Sequence, residues 1–386
     1  MSAETHRRRT YVDDGGSLVT AFPKKCVALV SLLPPPAGGI ASWTENVLRN
    51  GLPGGFVPIL VDQGYRSGRA VFAGTIDISA ELRRTLAILA SLVGTIYKYR
   101  PVIVHLNCHL SRRGIFRDLL CATVTRIAGV PLLTHYRGNI SDFPSGHGYD
   151  IPLYALKLLM RCSNVNVTLT VQSIRFARER IAVSTACLLP NFIDDDTLGL
   201  HVPASEPGRR RVVYAGGITR AKGAFDIIEI ARRIPDAEFV LIGHLGKEEC
   251  RLLAAPANVT VVGEVARNTL LEMMANSDLL LFPSYSEGFP NTVLEAMALG
   301  LPVVATMVGG ICDMIEAERG GILKQAGDVD GLTDAVRRLL DQPEKRSSMG
   351  RFNREKCRRE YAYSVVTPQL VQIYERIMGS RTLLSV

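Results

Sequence analysis

Short apolar runs alternate with longer stretches of helical period along almost the whole chain. In the first half the runs are residues 26–33, 56–61, 102–106, 131–135, 166–169 and 186–189. Each is nearly continuous in apolar character, as expected of strands buried on both faces in a parallel sheet. Residues 112–127 and 151–161 between them follow a helical period. A polar segment, 200–208, interrupts the pattern, which restarts with candidate strands 211–215, 238–242, 259–262, 278–282 and 302–305. The alternation predicts an α/β chain of two Rossmann-like domains with parallel sheets, joined near residues 195–210. The expected boundaries are a disordered leader at 1–20, an N-terminal domain at 21–198, a C-terminal domain at 199–365 and a closing helix at 366–386 that packs back across the hinge. In such sheets ligands sit beyond the carboxyl ends of the strands, so the expected site is the cleft between the domains.

With 386 residues the chain is long enough for two cores. The formal charge of +8 is unevenly placed: residues 1–200 hold 22 Lys and Arg against 14 Asp and Glu, whereas residues 201–386 hold 23 of each. Arg66, Arg69, Arg83, Arg84, Arg112, Arg113 and Arg117 are candidates for contact with an anionic partner. The basic excess lacks an aromatic stacking stripe, which argues against nucleic acid. Eight cysteines are dispersed without a C-x-x-C pair or metal-ligand spacing, so they read as reduced thiols and no metal site is expected. No apolar run reaches the roughly 18 residues a membrane span needs. The run 85–97 reads as a core-facing helix. Lys24-Lys25 followed by 26–33 mimics a signal peptide but reads better as a first strand, behind a polar leader carrying Arg7, Arg8 and Arg9.

Residues 284–306 carry the densest chemistry: a strand, a Gly/Pro/Asn loop with Glu287, then a helix starting near Asn291 or Thr292 and carrying Glu295, stopped by Gly300 and Pro302. A helix mouth offers unpaired N–H groups to a phosphate, and carboxylates beside it suit sugar hydroxyls. Phosphate plus sugar points to a nucleotide-sugar. Glu295 has a second reading, because Thr292-Val293-Leu294-Glu295 matches a capping box. Three further motifs sit at strand ends. Pro34-Pro35-Pro36-Ala37-Gly38-Gly39-Ile40 follows the first strand, and its glycines allow close backbone approach to a ligand. Thr134-His135-Tyr136-Arg137-Gly138 ends another strand, and His135 is expected to point into the cleft; His105 and His109 are its competitors. Tyr214-Ala215-Gly216-Gly217-Ile218-Thr219-Arg220-Ala221-Lys222-Gly223 turns from strand to helix and places Lys222 near a helix start, where a cation is unfavourable unless an anion is bound. Asp194-Asp195-Asp196 reads as a solvated linker rather than a metal site.

Over residues 24–380 the chain resembles the retaining glycosyltransferases of family 4, whose GT-B fold has two facing Rossmann-like domains; the likeness is strongest in 211–340, where Glu287 and Glu295 form the family's E-x7-E motif. The resemblance implies catalytic roles for His135 and Glu287. It implies a donor site of Gly38, Gly39, Gly216, Arg220, Lys222, Gly263, Val265, Gly288, Phe289, Asn291, Thr292 and Glu295, with Glu287 on the transferred sugar and Glu295 on the ribose. Val261-Val262-Gly263-Glu264-Val265 stands where the family's base-binding loop lies, and Leu189-Pro190-Asn191-Phe192-Ile193 resembles its segment before the hinge. Gly217 stands where the family commonly has an arginine, so Arg220 or Lys222 must supply that charge. Arg137 is the acceptor-binding candidate, for phosphate or an acidic group.

The implied reaction is transfer of a sugar from a nucleotide-diphosphate donor, with retention, to a saccharide or lipid-linked saccharide, without metal or other cofactor. The implied setting is cytoplasmic, at the inner membrane face, in polysaccharide or glycolipid assembly. An anionic membrane is a further candidate partner. A GT-B sugar-nucleotide 2-epimerase and a silent nucleotide-sugar-binding scaffold are the alternatives; Gly217 favours the latter.

Overall fold

The computed structural model describes residues 25–34, 38–64, 78–143, 151–202, 208, 210–246 and 255–382. The leader 1–20, residues 35–37, Arg66 and Arg69 lie outside these. The first half runs β1 (Lys25–Ser31), α1 (Gly39–Asn50), β2 (Phe56–Asp62), α2 (Ile78–Tyr99), β3 (Ile103–Cys108), α3 (Gly114–Ile127), β4 (Leu132–Tyr136), α4 (Ile151–Cys162), β5 (Val165–Thr168), α5 (Val171–Glu179), β6 (Ala186–Leu188) and α6 (Asp195–Gly199). The second runs β7 (Arg211–Ala215), α7 (Ala224–Arg233), β8 (Glu238–Ile242), β9 (Val259–Gly263), α8 (Arg267–Ala275), β10 (Leu279–Phe282), α9 (Asn291–Ala298), β11 (Val303–Thr306), α10 (Ile311–Met314), β12 (Gly321–Lys324), α11 (Val329–Asp341), α12 (Pro343–Glu360) and α13 (Tyr363–Thr382).

Two six-stranded sheets result, ordered β2-β1-β3-β4-β5-β6 and β12-β11-β10-β7-β8-β9. Every ladder in both is parallel. This is the α/β architecture expected from the alternation of strands and helices. β12, which the apolar pattern does not reveal, has only two buried residues in its four and reads locally as loop.

Helices cover both faces of the first sheet. On one face Ile88, Leu92, Ile115, Leu156 and Leu159 of α2, α3 and α4 pack against Ala28, Val104 and Leu132. On the other, Trp43 and Val47 of α1 meet Val27, Leu29 and Leu133, and α13 adds Val366, Leu370 and Tyr374. The closing helix therefore starts at Tyr363 and completes the N-terminal core. The chain crosses back beside the linker, where Tyr363 N–H donates to Ile193 O and Ile193 N–H to Tyr361 O, both at 2.8 Å.

The Asp194 triplet is a solvated linker only in part: Asp195 and Asp196 are exposed, but Asp194 is buried. Asp194 is 4% exposed, caps α6 by accepting from Asp196 N–H and pairs with Arg49 of α1. Asp195 accepts from Ser364. No disulfide joins the seven described cysteines. Among the described residues no helix is long and apolar enough to cross a membrane.

Candidate active site

The loop 283–290 joins β10 to α9 and carries Glu287. Pro290 occupies the cap position of α9 and no side chain caps the helix, so its first N–H groups face outward without a side-chain acceptor. Thr292 is the second helical residue and Glu295 the fifth. The capping-box reading of Glu295 fails on this register.

Lys222 Nζ donates to Glu287 Oε1 at 2.7 Å. The contact is prepared by a glycine. Lys222 belongs to a 3-10 turn, Arg220–Lys222, and Gly223 behind it sits at φ 75. Lys222 thus stands one residue ahead of the α7 cap rather than in its first turn. A Cβ on Gly223 would fall 2.3 Å from Pro283 O, so only glycine lets this turn press against the β10 loop. The Glu287 loop is backed in the same way from below. Gly310 N–H donates to Gly288 O at 2.7 Å. Gly309, at φ 50, lies so close that a Cβ would meet Glu287 O at 1.8 Å. We expect Gly309→Ala to displace Glu287 and to cost about 1 kcal/mol or more of stability. The check is transfer activity beside chemical denaturation; unchanged activity would contradict the supporting role.

Gly216 ends β7 and abuts Gly243, whose added Cβ would lie 1.9 Å from Gly216 O. Gly217 O accepts from Tyr214 Oη at 2.8 Å. Arg220 does not join Lys222: its guanidinium lies 4.5 Å over the Phe225 ring. The side chain of Phe289 is buried in the C-terminal core, edge-on to Tyr361, leaving only its backbone for a ligand.

A pocket between the domains is lined by Trp43, Asn46, Asp194, Arg267, Asn291 and Glu295. Glu295 is buried, and Arg267 Nε lies 3.6 Å from its Oε1. Burial raises the Glu295 carboxyl pKa, partly offset by the Arg267 charge. The glycine loop closes the rim, since a Cβ on Gly39 would stand 3.6 Å from Asn291 Nδ2, and Gly38 is the extended cap of α1. Asn191 Nδ2 ties the walls together by donating to Phe289 O at 3.0 Å and Asn291 Oδ1 at 3.1 Å. Gly263, at φ 85, ends β9, and Val265 follows it half-buried against the core.

The opposing wall comes from β4. His135 does not project into open space. It is fully buried, edge-on to Trp43, with ring centroids 5.4 Å from His105 and Arg137 Nη1 3.2 Å from its Nε2. His105 is bonded through Nδ1 to Tyr374 Oη of α13 at 2.6 Å. Arg137 stacks on Trp43 at 4.8 Å from the ring, and its Nε and Nη2 are buried without a hydrogen-bond partner. Burial pulls its pKa down to about 9. Gly138 beside it touches the Glu287 loop, because a Cβ on Gly288 would lie 2.9 Å from Gly138 Cα.

These histidines set a pH dependence. Burial and the Arg137 charge lower His105 to about 3, and the same causes push His135 well below its ordinary value. Both stay neutral in the fold where the unfolded rings, near 6.5, become protonated. Unfolding then takes up protons, so their contribution is constant above about pH 6.5 and is lost as pH falls below it, by at most about 1.4 kcal/mol per pH unit per ring. Asp118 and Glu295, raised by burial, act in the opposite sense. Urea unfolding between about pH 7 and pH 5 should show a shallower loss for His135→Asn than for the parent chain; equal slopes would refute the assignment.

The chain superposes on sucrose-phosphate synthase from Thermosynechococcus elongatus with a TM-score of 0.73, 18% identity, and coverage of 92% of this chain and 100% of that one. HepE of Anabaena, in complex with UDP and glucose, gives 0.70 at 16% identity, covering 91% and 100%. The fold is GT-B. Residues 201–356 match the family described as glycosyl transferases group 1. N-acetyl-alpha-D-glucosaminyl L-malate synthase of Bacillus anthracis is 29% identical over 174 residues, 43% of this chain and 45% of that protein. Alpha-D-kanosaminyltransferase of Streptomyces kanamyceticus is 28% identical over 300 residues, 71% and 77%. The chain spans about half the length of the curated relatives it first matches, 45% and 59% for two of them. The solved structures fix the fold as GT-B, and the family likeness is confined to residues 201–356.

Several residues of the GT-B cleft escape motif reading. Gly309 and Gly310 follow β11 as an ordinary turn in sequence. Trp43, Asn46 and Arg267 sit on helices with no neighbouring motif. Asn191 carries the one cue, its place in the segment before the hinge.

Proposed function

We propose that the chain transfers a sugar from a nucleotide-diphosphate donor to an acceptor with retention at the anomeric carbon, in polysaccharide or glycolipid synthesis on the cytoplasmic side of a membrane. The observation that carries this reading is the Lys222–Glu287 pair at the uncapped mouth of α9, one helical turn from the buried carboxyl of Glu295.

In this reading Glu287 accepts hydrogen bonds from hydroxyls of the transferred sugar and Glu295 from the ribose. The base lies toward Gly263 and Val265. The diphosphate sits over the N–H groups of Asn291 and Thr292, facing Gly38, Gly39 and Gly216. As the glycosidic bond lengthens, negative charge grows on the diphosphate, and Lys222 with the helix mouth stabilises it. An ammonium has three N–H bonds and Glu287 takes one, which leaves two for phosphate oxygens. These groups supply the positive charge, so no metal is assigned. Arg220, held on Phe225, has at most a minor share. Lys222 then does the work that Gly217 cannot.

His135 acts as a positioning residue: neutral and buried, it underlies Arg137, and Arg137 meets the anionic part of the acceptor or of the donor. The walls already touch through Ser286 Oγ to Asp142 Oδ2 at 2.9 Å and Val171 N–H to Asp313 Oδ2 at 3.0 Å. Closure of this kind excludes water that would hydrolyse the donor. The test is incubation with a panel of nucleotide-sugars and candidate saccharide acceptors, with NMR of the product. A glycoside with the donor's anomeric configuration supports the reading. Donor epimerised without acceptor, or an inverted product, contradicts it.

A further inference from the structure

Helices α2, α3 and α4 form one layer on the first sheet, and each carries two apolar stripes. The inner stripe is core: Ile88 and Leu92 on α2, Ile115 and Ala122 on α3, Leu156 and Leu159 on α4. The outer stripe faces solvent: Leu82, Leu86 and Tyr97 on α2, Phe116 and Leu120 on α3, Tyr154 on α4, with Leu82 60% and Tyr97 86% exposed. Eleven of the eighteen exposed large apolar side chains among the described residues lie on these three helices, so the patch is local rather than scattered. Concentration of this kind marks an interaction surface.

Charge on the same layer has one sign. Arg83, Lys98, Arg126, Lys157 and Arg161 lie on the three helices. Their two acids, Glu81 and Asp118, are each paired within the helix, with Arg84 and Arg117. Arg117, a sequence candidate for anion contact, is thereby buried and excluded from the surface. Apolar stripes rimmed by cations fit an anionic bilayer, where apolar groups enter the headgroup boundary and Lys and Arg meet lipid phosphate. A second copy fits poorly, because a two-fold contact would bring two basic faces together. None of the three helices can cross a bilayer, so contact is with its surface.

We infer that the outer face of α2, α3 and α4 docks this chain onto an anionic lipid bilayer. The inference is independent of the transferase reading, since binding needs no nucleotide-sugar. The experiment is co-sedimentation with phosphatidylcholine vesicles with and without phosphatidylglycerol, at low and high salt, for the full chain and for Leu86→Glu with Leu120→Glu. The full chain should sediment with phosphatidylglycerol vesicles, at least about tenfold more weakly at high salt. The double variant should lose at least about tenfold in binding while keeping its melting temperature, because both positions are exposed. Lys157→Glu with Arg126→Glu should remove only the part that depends on phosphatidylglycerol. Undiminished binding by the Leu86→Glu, Leu120→Glu variant overturns the proposal. So does a parent chain that ignores both vesicles, or one that forms dimers which this variant dissolves; the latter would assign the face to a second copy.

Discussion

Replacing Glu287 by glutamine is expected to lower sugar transfer by about 10²–10³-fold, the range seen when one preorganised polar group is removed from a reacting centre. The loss has two sources. An amide accepts weaker hydrogen bonds from sugar hydroxyls than a carboxylate. It also releases Lys222, whose Nζ is fixed 2.7 Å from Glu287 Oε1. Lys222→Met should cost a similar factor, because the diphosphate then loses its side-chain cation. The two changes act on one unit, so the double variant should lose much less than the product of the single losses. Full additivity would show that the two residues serve separate sites. Glu287→Gln with unchanged transfer would remove the proposed centre altogether.

Arg137→Met is the second large effect, and it separates stability from function. The guanidinium is stacked on Trp43 with Nε and Nη2 unsatisfied, and among the described residues no carboxylate pairs with it. A buried polar group without partners costs on the order of 1–3 kcal/mol. The ligand-free Met variant should therefore unfold at equal or higher denaturant concentration than the parent chain. If Arg137 meets an anionic part of the donor or acceptor, transfer should nevertheless fall by more than about 30-fold, from a loss of about 2–5 kcal/mol for one side of a buried charged contact. Arg137→Lys should recover only part of it, because an ammonium lacks the planar fork and the stack on Trp43. A variant that is destabilised but fully active would make Arg137 a structural residue.

Much of the architecture is legible in the sequence because buried parallel strands are written as plain apolar runs. Eleven of the strands are visible as such runs, even the exposed edge strand β9 with its three valines; β12 is not, because Gly321–Lys324 offers only two apolar side chains between a glycine and a lysine. Glu287 and Lys222 are both legible from local chemistry, an acid in a glycine loop and a cation ahead of a helix. Their contact is not, because it depends on Gly223 meeting Pro283 across 60 residues of chain. Other misreadings share a cause. His135 ends an apolar run, but the strand continues through Tyr136, and Trp43 from a distant helix covers the ring. Asp194 reads as solvated, like its exposed neighbours Asp195 and Asp196, because its partner Arg49 is remote in sequence. The capping box at Thr292 is a valid local pattern defeated by a two-residue shift of register, because Pro290 takes the cap position. Local chemistry is readable where neighbours in sequence are neighbours in space, and fails where tertiary packing supplies the partner.

The most direct test of the nucleotide-sugar site is thermal unfolding of the chain and of its Lys222→Met variant against a panel of uridine, guanosine and adenosine diphosphate sugars. Binding to the folded state alone stabilises by RT ln(1 + [L]/Kd), about 2.7 kcal/mol at a hundredfold excess over Kd. The site predicts that at least one member of the panel raises the melting temperature of the parent chain, and that the rise is largely lost in the variant. A parent chain indifferent to every donor, or a shift of equal size in the variant, would contradict a diphosphate held between Lys222 and the mouth of α9.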